Sequence, residues 1–421
     1  MKKRRVGILG ATRGMNFAMD GLFGHPEAEL AVICDSDSKQ LQRVSEKLNA
    51  AGITGIRYCQ HESELYSSDC ECVVIANYAN RHADCAIAAL EQGKHVLSEV
   101  QPVQNLAEAV RLCEAVERSG KIYHYAENAC FSEAALESRR QFRSGEYGVL
   151  VEADGEFFND CSGRWHLLTR GQRMHWRNFV PSTFYCSHSL GPIFYATGER
   201  AVSVTGMEVP RMPYLARRGA RSGSASCFNM QLSGGAIARI IMGNYKHPYR
   251  LACRLLCEKG SLLHSSQDKL QLIREEPVGS GTFACSEIQP RSPYWSERYA
   301  ASHAPDIAYM LDFFLNAISG DRDAMAMGID VYSALDMAIP GLQAYRSILN
   351  GGNVMEVPDF RDPAVRERYR NDIACTDPAV AGDQLLPSCS TWQGTVPDEV
   401  YEEEAALFEE AMKTQFKLGF Y

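Results

Sequence analysis

The first 130 residues constrain the fold most, because short apolar runs alternate there with amphipathic stretches. That alternation is the mark of repeated βαβ units feeding a parallel sheet. Arg5 to Leu9 reads as the first strand, and Gly7, Gly10 and Gly14 surround the turn into a helix expected from about Met15. Backbone N–H groups and the helix dipole at such a turn can receive a pyrophosphate. The spacing is not GxGxxG, since Thr12 stands where a second glycine is expected, so the turn alone is a weak signal. Its context strengthens it. Leu30 to Cys34 is a second strand, and Asp35 ends it 25 residues after Gly10. A carboxylate there bonds the adenosine ribose hydroxyls and repels a 2′-phosphate, which favours NAD over NADP. The alternative is that Asp35 only caps a helix over 38–49.

Further buried strands are expected over 72–76, 94–98 and 121–126, with helices between them. Ligands of an open α/β sheet sit at the carboxyl ends of its strands. Those ends carry Asn77 to His82, Glu99-Val-Gln-Pro102 and Glu127-Asn128. Gly10, Thr12, Arg13, Asp35, Asn77, His82, Glu99 and Asn128 are therefore the candidate cofactor contacts, although His82 reads equally as a first-turn helix residue. Beyond residue 130 a helix over 132–144 leads to a strand over 149–158. Strand patterns over 201–208, 224–232, 236–242 and 251–258, with a Gly234-Gly235 hairpin turn, make a single large antiparallel sheet the economical reading. Helices are expected over 304–318 and 330–349, the second kinked at Pro340. After Phe360 the chain is polar and irregular until an acidic helix over 397–416. The division is a dinucleotide domain over 1–130, a substrate and catalytic domain over 131–360, and an extension over 361–421.

The net charge of -9 over 421 residues argues against a nucleic-acid or anionic-membrane footprint, which needs clustered excess Lys and Arg. No segment approaches the about 18 continuous apolar residues of a membrane span. The basic run Lys2 to Arg5 leads into an apolar stretch too short for a signal peptide, so a cytoplasmic protein is expected. Fifteen scattered cysteines read as reduced and mostly buried, and without paired CxxC motifs no metal is assigned.

Pro181-Ser-Thr-Phe-Tyr185-Cys-Ser-His188-Ser-Leu-Gly-Pro192 puts a phenol and an imidazole three residues apart. If this stretch opens a helix, the two share a face and can pass a proton near neutral pH, as alcohol oxidation requires. The competing reading is a hydrogen-bonded core pair. Just upstream, Arg164, Arg170, Arg173 and Arg177 crowd one segment. They admit an acidic or sulfonated substrate, or else form a solvated basic loop.

Gly-Lys-His-Val-Leu-Ser-Glu at 93–99, Asn-Leu-Ala-Glu-Ala at 105–109 and Ala-Glu-Asn at 126–128 resemble the Gfo/Idh/MocA oxidoreductases, in register from residue 5 to about 360. The resemblance implies an α/β fold: an N-terminal Rossmann domain plus a C-terminal α/β domain with an open, mostly antiparallel sheet that often forms an oligomer interface. It also implies NAD as cofactor and a small carbohydrate as substrate. Ordinary dehydrogenases of this family carry Glu-Lys-Pro where this chain has Glu99-Val-Gln-Pro102, and often an Asp where it has Phe184. The family's NAD-dependent glycosidases, the α-N-acetylgalactosaminidases among them, resemble it more closely. They have Glu-Val, a Trp-Arg pair matched by Trp176-Arg177, and a Tyr-x-x-His-x-Leu-Gly-Pro motif.

That resemblance implies hydrolysis by transient oxidation of a sugar hydroxyl, the one at C3, followed by elimination of the C1 substituent, water addition and re-reduction. Tyr185 and His188 would handle the C3 hydroxyl or C2 protons, His303 would be a second acid or base, and Gln101, Trp176 and Arg177 would bind the sugar. Other readings stay open: Trp176 as a core wall, Arg177 in a structural ion pair, His303 as a helix cap. The alternatives in function are a sugar dehydrogenase that releases a keto sugar and a non-catalytic NAD-binding regulator.

Overall fold

The computed structural model describes residues 3–266, 268–294 and 305–418. Its first sheet has six parallel strands in the order β3-β2-β1-β4-β5-β6: β1 (Arg4–Leu9), β2 (Ala28–Cys34), β3 (Arg57–Cys59), β4 (Cys72–Ile75), β5 (His95–Ser98) and β6 (Tyr123–Tyr125). Helices cover both faces, so the inner strands are fully buried over their carboxyl-terminal halves, as a doubly covered parallel sheet requires. The register decides what meets at the carboxyl edge. Leu9 pairs with Cys34 and with Ile75, and Ser98 pairs with Ile75 and with Tyr125. Gly10, Asp35, Asn77, Glu99 and Glu127 consequently leave the sheet along one rim. The order reverses between β1 and β4, where such a sheet opens a crevice for its ligand.

The second sheet has nine strands in the order β14-β13-β12-β11-β7-β10-β9-β8-β15. β7 (Leu150–Phe158) lies inside it, parallel to β10 (Ile237–Gly243), and every other pair is antiparallel. The expected strands are seen as β7, β8 (Ala201–Val209), β9 (Ala225–Leu232), β10 and β11 (Arg250–Cys257). The sheet also continues through β12 (Gly260–Ser266), β13 (Lys269–Glu275) and β14 (Phe283–Ile288), with β15 (Met355–Glu356) at its other edge. β14 has no buried face, so alternation could not reveal it.

The helix Ser187–Thr197 lies against this sheet. It comes close because β7 offers a glycine: a Cβ on Gly155 would stand 2.2 Å from Ser189 O. The helix begins after Tyr185, not at it, because residues 182–186 form turns. Those turns are anchored on the long helix Val331–Leu349, which runs through Pro340 without ending. Thr183 Oγ1 donates to Gly341 O (2.7 Å) and Cys186 Sγ to Met337 O (3.4 Å). Only glycine fits at 341, where a Cβ would meet Cys186 Sγ at 2.5 Å. The first helix also departs from expectation. It starts at Ala11 instead of about Met15, because Gly10, at φ 95°, turns the chain directly off β1.

The extension packs across both sheets' helices. Arg366, almost fully buried, forks onto Glu117 with two 2.8 Å bonds, and Arg346 forks onto Asp372 (2.7 and 2.6 Å). The last helix, Asp398–Leu418, bonds Glu404 to Arg218 (2.7 Å), Tyr401 to Gly219 O (3.1 Å) and Asp398 to Arg173. It thus braces the arginine-rich segment from outside.

Arg366→Ala removes two charge-assisted bonds and should destabilise the fold by roughly 1.5–3 kcal/mol in denaturant unfolding. Arg366→Lys should recover only part of this, because an ammonium cannot fork. An unchanged midpoint would show that the extension is held by its apolar contacts alone.

Candidate active site

A cleft of about 1020 Å³ lies between the carboxyl rim of the first sheet and the segments 157–188 and 222–244 of the second domain. It exceeds the ~300–1,000 Å³ of ordinary small-ligand sites, which suits a dinucleotide beside a small substrate. Gly10, Thr12, Arg13, Asp35, Asn77, His82, Glu99, Asn128, Trp176, Arg177, Tyr185 and His188 all line it.

On the rim, Asp35 accepts from Ala11 N (2.8 Å) and Asp37 N (3.0 Å), so its carboxylate is fixed at the end of β2. The helix over 38–50 is capped by Asp37 instead, which disposes of the capping alternative for Asp35. A Cβ on Gly10 would lie 2.5 Å from the Ala76 and Asn77 backbones, so only glycine lets β1 and β4 meet at this turn. Asn77 Oδ1 is buried without a partner. This donor and acceptor set fits a dinucleotide: Asp35 would hold the ribose diol, the 10–13 turn the phosphates, and Asn77 a donor of the nicotinamide half. His82 supports the floor. Its Nδ1 lies 3.0 Å from Gln101 O and its Nε2 3.2 Å from Asn77 O, and burial lowers its pKa. Glu99 is not a lone carboxylate, since Arg13 Nε donates to it (2.6 Å). Asn128 donates to Asp306 (3.0 Å) at the start of the helix Pro305–Ile318.

Across the cleft, His188 Nδ1 donates to Glu127 Oε1 (2.6 Å). Glu127 is 0% exposed, and its Oε1 also accepts from Ala129 N (3.1 Å). With Nδ1–H committed to the carboxylate, Nε2 keeps its lone pair for the cleft. Burial disfavours the imidazolium, but the charge and hydrogen bond of Glu127 outweigh it and raise His188 above the ordinary 6.5. The Tyr185 ring stacks parallel to His188 at 6.0 Å, and burial pushes its phenol up against the pull of Arg177. A proton acceptor and a neutral phenol thus stand side by side. Among the described residues no lysine lines the cleft.

Glu127 is the functional residue that sequence reasoning passed over. Its position at the end of β6, equivalent to that of Glu99 on β5, was the available signal. Gln101 is a correction. It is 1% exposed, donates to Ser187 Oγ (2.7 Å) and accepts from Tyr125 Oη (3.2 Å), so both ends of its amide are consumed in the core and it does not line the cleft. Trp176 is largely buried, and the Arg177 guanidinium lies 4.7 Å from the indole ring centre and 5.4 Å from that of Tyr185. His303 lies outside the described residues.

Asp35→Ser removes the fixed carboxylate and should weaken NADH binding roughly 10- to 100-fold while narrowing the preference over NADPH. Fluorescence titration with both dinucleotides checks this, and an unchanged ratio would take Asp35 out of the ribose site.

Residues 4–127 match the oxidoreductase family with an NAD-binding Rossmann fold, GFO_IDH_MocA. The chain is 24% identical over 405 residues to "Glycosyl hydrolase family 109 protein 2" of Phocaeicola vulgatus, spanning 86% of this chain and 96% of that one. Other proteins of that name align over only 41–49% of their own length. Among solved structures, an oxidoreductase from Agrobacterium radiobacter in complex with NAD+, L-tartaric acid and magnesium superposes with a TM-score of 0.66 at 14% identity, covering 85% of this chain and 99% of that one. A levoglucosan dehydrogenase in complex with NADH and levoglucosan does so at 0.67 and 15%, covering 85% and 100%. At these identities the structures speak for the fold. With the rim geometry and the family match together, residues 4–127 form the NAD-binding Rossmann domain of the Gfo/Idh/MocA oxidoreductases.

Proposed function

We propose that this enzyme hydrolyses a glycoside by oxidising a sugar hydroxyl, eliminating the C1 substituent, adding water and reducing the ring carbon again. The observation that carries this reading is the Glu127–His188 pair beside Tyr185, in a cleft that no described lysine lines. The similarity to a family 109 glycosyl hydrolase over nearly its whole length supports it.

When bound, NAD⁺ supplies the hydride acceptor, and its reduced form the donor. Loss of hydride from a carbinol carbon also requires loss of the hydroxyl proton, and His188 Nε2 is the base for it. Tyr185, kept protonated by burial, donates to the same oxygen. A ketone at C3 acidifies the C2 hydrogen. When a base takes that proton, its electron pair forms the C1=C2 bond, the C1–O bond breaks and the departing oxygen is protonated. Water then adds across the double bond, oxygen to C1 and hydrogen to C2. Hydride return to C3, with a proton on its oxygen, leaves no net redox change. His303 remains a candidate second acid or base. Arg177 and Trp176 form the sugar-facing wall.

No helix among the described residues is long and apolar enough to cross a membrane, and we place the enzyme in the cytoplasm. We assign homo-oligomer formation to the second sheet, whose strands expose Val151, Met207 and Ile237.

A panel of nitrophenyl α- and β-glycosides incubated in deuterium oxide with catalytic NAD⁺ tests the reaction. Aglycone released in excess of NAD⁺, with deuterium at C2 of the sugar, is expected. Stoichiometric NADH accumulation would mean a dehydrogenase that releases a keto sugar. His188→Ala should cost roughly 10²–10⁴ in turnover with NADH affinity retained; unchanged turnover would remove the base assignment.

A further inference from the structure

Four arginines fall between residues 164 and 177, and the structure separates them into two pairs. Arg170 is bound to Asp37 (2.7 Å) and Arg173 to Asp398, so both are spent in holding the segment. Arg164 and Arg177 differ. Arg164 donates to Asn159 Oδ1 (2.8 Å) and to Cys161 Sγ (3.6 Å), which are neutral. Arg177 lies over the Trp176 and Tyr185 rings. Neither has a carboxylate partner among the described residues, and both line the cleft.

The charge around them is one-sided. Every described acidic residue that lines the cleft comes from the cofactor side: Asp35, Asp37, Glu62 and Glu99. Asp37 faces Arg170, Glu99 faces Arg13, Glu62 lies 3.9 Å from Arg81, and Asp35 accepts from the backbone. The walls contributed by the second domain contain no Asp or Glu among the described residues. The two arginines also share a location. Arg177 covers the Tyr185 ring, and Arg164 contacts Cys161, which lines the same cleft from the second domain. A guanidinium stacked on aromatic rings is already oriented, so little freedom is lost when a planar oxyanion meets it. Trp176 Nε1, buried without a partner, adds a neutral donor on the same wall.

We propose that the substrate is an anionic glycoside whose carboxylate, sulfate or sulfonate group is held by Arg164 and Arg177 beside Tyr185. This rests on the glycoside reading above and specifies its substrate class. The anion can belong to the sugar or to its aglycone.

The test compares matched probes on the NAD-loaded enzyme: 4-nitrophenyl hexosides, the corresponding hexuronides and 6-sulfates, and neutral hexosides with a 3-carboxy-4-nitrophenyl aglycone. Binding is read by calorimetry alongside turnover. The anionic member of a pair should bind roughly 10- to 100-fold more tightly, and Arg164→Gln and Arg177→Gln should each remove most of that advantage. Retained NADH affinity confirms that the variants are folded. A preference confined to hexuronides and 6-sulfates places the anion on the sugar, and one confined to the carboxylated aglycone places it on the leaving group. Equal binding of neutral and anionic probes, or a preference that both variants leave intact, overturns the proposal even if neutral glycosides are hydrolysed. Anion-selective binding without aglycone release supports the proposal while sinking the hydrolase reading.

Discussion

A carboxylate with no exposure, bonded to an imidazole across a domain boundary, is the constraint that the rest of the site serves. Glu127 leaves the first sheet at the end of β6, and His188 sits in the first turn of a helix carried by the second sheet. Burying an anion is costly unless its charge is met, and losing one partner of such a pair typically costs roughly 3–5 kcal/mol. The surroundings are shaped to keep the two together. A Cβ on Gly191 would stand 3.1 Å from Glu127 Cγ, and Gly155 lets the helix backbone lie directly on β7. Glu127 accepts from Ala129 N at the turn that follows, which fixes its direction. The ring is thereby oriented, its proton placed on Nδ1 and its basicity raised by one interaction.

The other parts fit around this pair. The parallel sheet brings five strand ends to one rim, and a dinucleotide held there by Asp35 and the 10–13 turn would share the cleft with His188 and Tyr185. That wall is a long, turn-rich segment with few strand bonds of its own. It is secured instead by Thr183 and Cys186 on the long helix, by Arg170 on Asp37 and by the terminal helix through Asp398. The extension thus acquires a physical role as an outer brace for the substrate side of the cleft.

The fold was legible because its signals are local. Apolar runs alternating with amphipathic helices specify a covered parallel sheet, and Gly10 and Asp35 fall at the places where phosphate and ribose would be met. Tyr185 and His188 were legible as a pair, although the turn before Ser187, and not a shared helix face, brings their rings together. Glu127 was legible only as a carboxylate at a strand end, and its pairing with His188 was not, because the two lie 61 residues apart. Gln101 misled for the converse reason: its neighbours Glu99 and Val100 line the cleft, while its own side chain turns into the core. The arginines between 164 and 177 could be counted but not sorted, since their fates are decided by Asp37 and Asp398, both remote in sequence.

NMR titration of the His188 ring in the NADH-bound enzyme, in wild type and in Glu127→Gln, addresses the central claim most directly. A folded imidazolium stabilised by Glu127 keeps its proton to higher pH than a free histidine. The wild-type midpoint should therefore lie above 6.5, and the variant, deprived of the Glu127 charge against burial, should titrate at lower pH. A wild-type midpoint at or below 6.5, or one that Glu127→Gln does not move, would contradict the account.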